Sequence, residues 1–179
     1  MKKYNIALLP VNNNGDFTEL AQKLSMLNPV YHLGDKSLPH VTLCQFYLDE
    51  KNVDATWEEL CAALSDHELE LEFKDFSFLT FDYKMFWIAL LPTDVSELHK
   101  MQAKAAAVLK LASKKPYDPH LTLISTHDNS YKSKAAPLSE KYKPIRDSFF
   151  LALGECDELG QFVSVIHTKE FTEGLRLRD

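Results

Sequence analysis

Two pentapeptides carry the residues that could do chemistry. Pro39-His40-Val41-Thr42-Leu43 and Pro119-His120-Leu121-Thr122-Leu123 differ only in the central apolar residue. Each sets a histidine and a threonine two positions apart in an apolar run. On a β-strand that spacing turns both side chains to one face. Two imidazoles and two hydroxyls gathered at one place suit in-line transfer at phosphorus without a metal. One neutral imidazole takes a proton from the attacking water or hydroxyl, and the other, as imidazolium, gives one to the departing oxygen. The hydroxyls can donate to the non-bridging oxygens, where charge accumulates. The pattern therefore assigns acid–base work to His40 and His120 and phosphate binding to Thr42 and Thr122. A single strand histidine is ordinarily a hydrogen-bonded core residue, and the doubled context reverses that here. His32, His67, His99, His127 and His167 keep the ordinary reading. Among them His127, seven residues beyond His120, is the one that could support the site from behind.

The elements that must position these residues also occur twice. Ile6-Ala7-Leu8-Leu9-Pro10 returns unchanged as Ile88-Ala89-Leu90-Leu91-Pro92, an offset of 82 residues against 80 for the histidine motifs (88 − 6 and 120 − 40). After each proline an aspartate with a glutamate three residues on, Asp16/Glu19 and Asp94/Glu97, reads as a helix start. Apolar stripes follow, Phe17, Leu20, Leu24 and Leu27 in the first copy and Val95, Leu98, Met101, Val108 and Leu109 in the second. Strand, proline, capped helix and His-x-Thr strand thus repeat in order, which points to an internal duplication. A pseudo-twofold axis would set the two motifs face to face. Between the copies lie a helix over 53–64 and half-buried strands over 69–81. Beyond the second motif, 125–133 reads as loop, 132–146 as a basic stretch whose helix is limited by Pro137 and Pro144, and 148–167 as a hairpin turning at Asp157–Gly160. The tail after Phe171 reads as frayed. No linker separates independent domains. The chain is read as one domain of two repeat lobes, about 1–82 and 83–179.

Composition narrows the classes further. With 179 residues, 45% of them hydrophobic, the chain can bury a sizeable core. No apolar run reaches the roughly 18 residues of a membrane span. The charged start Met1-Lys2-Lys3 is followed by too short an apolar run for a leader, so a cytoplasmic location is expected. Cys44, Cys61 and Cys156 are odd in number and far apart, which fits buried thiols rather than a disulfide framework or zinc site. A net charge of −6 argues against a general binder of long nucleic acid. The charge is uneven. Residues 49–75 hold ten acids and two lysines (−8), and 100–146 hold ten basic residues and three acids (+7). The basic stretch either draws a small phosphorylated substrate or an RNA end towards His120, or forms solvated helix faces. Lys114 and Lys115 belong to it.

The doubled His-x-Thr, some 80 residues apart, resembles the 2H phosphoesterase superfamily, and within it the LigT-like branch of 2′-5′ RNA ligases and cyclic phosphodiesterases. The first strand ending in Pro10, the strand with Phe86-Trp87 and the terminal hairpin with Gly160 and Phe162 fall where that family has them. The resemblance implies an α+β, bilobal, duplicated fold, with two antiparallel-rich sheets around a central groove. It implies metal-independent cleavage of 2′,3′-cyclic phosphates or 2′-5′ linkages, with His40 and His120 as the acid–base pair and Thr42 and Thr122 on phosphate. No cofactor or metal is implied. The partner would be a small nucleotide or an RNA end, met by a monomer. Members often carry a cation in the first strand, where this chain has Asn5-Ile6-Ala7, which leaves the substrate open. Tyr117, Phe46 and Phe86 are candidates for base stacking beside their ordinary reading as core aromatics. A metal-dependent hydrolase using His40, His120 and His127, and a nucleotide-binding module without turnover, are the rival functions.

Overall fold

A computed structural model of the chain describes residues 1–64, 69–81, 84–112 and 116–169. In chain order the elements are β1 (Lys2–Pro10), α1 (Asn14–Gln22), β2 (Tyr31–His32), β3 (Val41–Leu48), α2 (Val53–Ala63), β4 (Glu70–Phe81), β5 (Met85–Pro92), α3 (Ser96–Val108), β6 (Leu121–Thr126), α4 (Tyr131–Lys141), β7 (Ile145–Cys156) and β8 (Phe162–Lys169). The fold is α+β. All eight strands pair antiparallel, and their path β1-β3-β6-β5-β4-β7 returns to β1, with β8 beside β7 and β2 beside β6. The two expected sheets are thus continuous with each other. No helix among the described residues is long and apolar enough to cross a membrane.

The repeated sequence folds with repeated register. In β1–β3, Ile6 pairs with Cys44, Ala7 with Thr42 and Leu8 with Val41. In β5–β6, Ile88 pairs with Ile124, Ala89 with Thr122 and Leu90 with Leu121. Both ladders shift register at the same place, so that Leu43 and Leu123 are each the extra residue of a β-bulge. The closing strands are exchanged. β4, from the first repeat, pairs with β5 of the second, and β7, from the second, pairs with β1 of the first. In space, therefore, each half of the sheet draws on both sides of the 82/83 boundary. The halves meet at two points: the single pair Val41↔Leu121, and four pairs between Glu70–Phe73 and Ile145–Ser148.

One face of this sheet carries the main core, where Tyr4, Ile6 and Leu8 meet Phe17 and Leu24 of the α1 region and Leu98 and Met101 of α3. The opposite face of β1 and β7 carries a smaller apolar cluster of Ala7, Leu9, Ala152 and Phe162. The helix starts differ from their sequence reading. Asp16 lies inside the first turn of α1, whose N-cap is Asn13. The carboxylate of buried Asp147 accepts the Asn12 and Asn13 backbone N–H groups at 2.9 and 2.7 Å, so a long-range partner, not Glu19, takes the N–H of the N-cap residue. Asp94 does act locally, accepting the Ser96 N–H at 2.9 Å. α4 begins inside the expected loop and runs through Pro137. Proline there removes one backbone bond. Burial of Tyr131 and Ala135, with Tyr131 stacked on Phe86 at 4.6 Å, outweighs that loss.

Candidate active site

The Val41↔Leu121 pair sits where β3 and β6 begin, and pairing between the two strands goes no further. That register sets position 40 across from 122 and position 42 across from 120. The four motif residues therefore surround one backbone contact, with the strands diverging from it on either side. Thr42 pairs with Ala7 and Thr122 with Ala89. Ala7 belongs to the smaller cluster, opposite the main core, and that places the threonines on the same side.

Both histidines are anchored in the same way. His40 Nδ1–H donates to the Leu38 carbonyl at 2.7 Å, and His120 Nδ1–H donates to the Asp118 carbonyl at 2.7 Å. A carbonyl can only accept, so each neutral ring holds its proton on Nδ1 and keeps Nε2 as the unprotonated nitrogen. Their surroundings differ. His40 is 7% exposed and lies 5.4 Å from the Phe162 ring. His120 is half-buried. Burial in this apolar setting lowers the His40 imidazole from 6.5 to about 4, with the charge of His120 pushing the same way and the Leu38 carbonyl opposing. His40 is therefore neutral at pH 7.

This depressed value has a consequence for stability. Between pH 6.5 and 4 the unfolded chain takes a proton at His40 that the folded chain refuses, so folding weakens as the pH falls through that window. The full loss is about 3 kcal/mol, complete near pH 4 and absent above pH 7. Urea unfolding at pH 7.5 and 4.5 checks it. His40→Gln is expected to remove that share of the pH dependence, and an unchanged difference between the two pH values would refute the assignment.

Thr42 is held at both ends. Its Oγ1 accepts from Asn5 Nδ2 at 2.9 Å, and its carbonyl accepts from the Tyr117 hydroxyl at 2.8 Å. Tyr117, three residues before His120, thus ties the approach to the second motif to the first. Its ring meets His99 edge-on at 5.4 Å, and burial raises its hydroxyl pKa. Asn5 is fully buried, and its Oδ1 has no hydrogen-bond partner, the one such buried side-chain atom among the described residues. An unpaired buried oxygen costs about 1–3 kcal/mol. Sequence reasoning noted only that Asn5 was not a cation. A polar side chain in the run Tyr4–Leu9 was the signal that could have marked it.

Two of the stacking candidates belong elsewhere. Phe46 is 6% exposed and packs on Tyr4, and Phe86 is 9% exposed and stacks on Tyr131. Both lie in the main core. For Phe46 the reason is the bulge at Leu43, which inverts the phase of β3 so that residues after it leave the face shared by His40 and Thr42. For Phe86 it is plain alternation, since Ala89 pairs with Thr122 and position 86 therefore faces away. Trp87 takes the site-side position of β5 instead. His127 bonds the Lys84 carbonyl at 2.8 Å beyond the far end of β6, about 20 Å along the strand from His120, so it does not support the site. His32 bonds Ala21 O, and His167 bonds Asp54. His67, Lys114, Lys115 and the tail lie outside the described residues. Of the basic stretch, Lys100, Lys134 and Arg146 pair with Glu97, Asp128 and Glu70. Cys44 and Cys156 are buried free thiols, each raised to about 11 by burial, and Cys61 is half-buried. A cleft of about 510 Å³ opens between Leu38, Pro39, Leu9, Phe150, Val163 and Val165, and none of the four motif side chains lines it.

This arrangement of strands and helices recurs in solved structures of other proteins. Escherichia coli LigT, crystallised with 3′-AMP, matches with a TM-score of 0.59 at 15% identity, over 96% of this chain and 99% of that one. Kluyveromyces marxianus Usb1 matches at 0.53 and 12% identity over 93% and 96%, and a further phosphoesterase crystal structure at 0.55 and 12% over 97% and 100%. At these identities the likeness is one of fold. The chain belongs to the 2′-5′ RNA ligase superfamily, whose family model matches residues 18–159. The LigT-like, 2H phosphoesterase resemblance read from the motifs therefore holds. No curated protein sequence matches the chain.

Proposed function

We propose that the protein is a metal-independent phosphoesterase that cleaves a 2′,3′-cyclic phosphate or a 2′-5′ phosphodiester of a nucleotide or RNA end. The observation that carries this reading is the matched pair of imidazoles, each pinned through Nδ1 at 2.7 Å on either side of the Val41↔Leu121 contact. Water, or a ribose hydroxyl in transesterification, attacks phosphorus while one Nε2 takes its proton. The P–O bond to the departing ribose oxygen breaks, and the other imidazolium protonates that oxygen. Thr42 and Thr122 donate to the non-bridging oxygens as their charge rises. Run backwards, the same groups join the ends, so 2′-5′ ligation needs no new residue and the two histidines exchange roles.

Superfamily membership supports the reaction class, and the 3′-AMP bound by LigT supports a small nucleotide as the ligand. The cleft lined by the segments around Asn14 and 34–39 would take the part of such a substrate that extends beyond the phosphate. The enzyme is read as a cytoplasmic monomer. A metal-dependent hydrolase has less support, because among the described residues no three His, Cys, Asp or Glu side chains converge in the manner of a metal site. The test is hydrolysis of nucleoside 2′,3′-cyclic phosphates in EDTA. Turnover undiminished by chelator, giving a single phosphomonoester, is the expected result. Activity that appears only when a divalent metal is restored would overturn the mechanism. Tight nucleotide binding with no turnover of cyclic phosphates or 2′-5′ oligonucleotides would favour the binding module.

A further inference from the structure

Asn5 lies fully buried in a strand whose other buried residues are apolar, apart from the aromatic hydroxyl of Tyr4, and it keeps an oxygen without a partner. The strand architecture does not require an amide there. Position 87, which stands 82 residues on in the second copy of the strand, is tryptophan, and β5 keeps the same register and the same bulge opposite it. What Asn5 does is touch Thr42. Its Nδ2 can only donate, so Thr42 Oγ1 must accept at this 2.9 Å contact. The hydroxyl's own proton is then left for another acceptor. The Tyr117 bond to the Thr42 carbonyl fixes the main chain beneath it.

We infer that Asn5 is a positioning residue that acts through Thr42, occupying an acceptor site of its hydroxyl so that the proton is presented to a non-bridging oxygen of the phosphoryl substrate. This rests on the two-histidine phosphoester reading and makes Thr42 a pre-set donor within it. A preset donor requires no reorganisation when charge develops, and such a donor is worth most in the transition state.

The experiment compares wild type, Asn5→Val, Thr42→Val and the double variant, with kcat and KM on a nucleoside 2′,3′-cyclic phosphate, affinity for inorganic phosphate, and urea unfolding. Asn5→Val is expected to lower kcat about 10-fold while KM moves by less than about threefold. Its urea midpoint should be unchanged or higher, because the unpaired oxygen is gone. The double variant should be no slower than Thr42→Val, since Asn5 has nothing left to direct. A merely structural asparagine gives the opposite pattern, a lower midpoint and losses that multiply. Wild-type kcat in Asn5→Val, or multiplying losses in the double variant, overturns the inference while the phosphoester reading stands. A wild type that neither turns over substrate nor binds inorganic phosphate removes both. Should Asn5→Val fail to fold, Asn5→Ala replaces it, and the same comparison with Thr42→Val decides.

Discussion

Alanine in place of His40 or His120 is expected to lower turnover of a 2′,3′-cyclic phosphate by about 10²- to 10⁴-fold, with the double variant little worse than the poorer single one. The size follows from the task. Water is a poor nucleophile, and a ribose alkoxide is a poor leaving group. Each imidazole removes one of those obstacles, and neither helps fully without the other. KM should change less than kcat, because on the proposed mechanism the threonines remain to hold phosphate. The wild-type pH–rate profile should be bell-shaped, and each variant should lose a limb. Circular dichroism guards against the trivial explanation. Loss of the Leu38 or Asp118 contact frees a carbonyl close to the surface of the site, which should leave the fold intact. Equal activity in wild type and either variant would sink the two-histidine mechanism. Unchanged nucleotide affinity in a chain that never turned over would point to a binding protein.

The largest expected effect on stability is at Gly154. It faces Asn5 across β1–β7 and Val165 across β7–β8. A methyl group there would overlap the Ser164 carbonyl oxygen and come within 2.5 and 2.6 Å of the Phe162 ring. The ring could swing aside, but the carbonyl belongs to the neighbouring strand and cannot. Gly154→Ala should therefore cost about 3 kcal/mol, or roughly 10 °C in Tm for a domain of this size. Because Phe162 is also the ring against His40, the variant should raise the exposure of that imidazole and lift its depressed pKa towards 6.5. Thermal melting and an NMR titration of His40 read the two effects. A Tm within about 2 °C of wild type would show that β8 yields more easily than its packing implies.

The motifs and their order were legible because duplication writes the same register twice, and an unbroken pentapeptide match survives where single propensities would not. The four residues gathered around the Val41↔Leu121 pair stood out in the sequence for the same reason. What failed to show was anything set by a partner distant in sequence. Period-two alternation carries Phe46 onto the face of His40, and only the bulge at Leu43 reverses it. The capping pattern at Asp16 is locally sound, yet Asp147, well over a hundred residues away, takes the backbone groups. Pro137 reads as a helix limit until the stacking of Tyr131 on Phe86 is known. Asn5 reads as a missing cation, and its bond to Thr42 appears only once β1 and β3 are side by side.

The exchange of closing strands also governs how the chain must be made. β1 finds its first neighbour in residues 41–48, but its second is 145–156. During synthesis the apolar edge of Ile6–Leu9 therefore waits, unpaired on that side, until residues 145–156 have left the ribosome. Such long-range closure makes for slow folding. It also leaves a nascent chain that is vulnerable to association through that edge, whatever the stability of the finished protein.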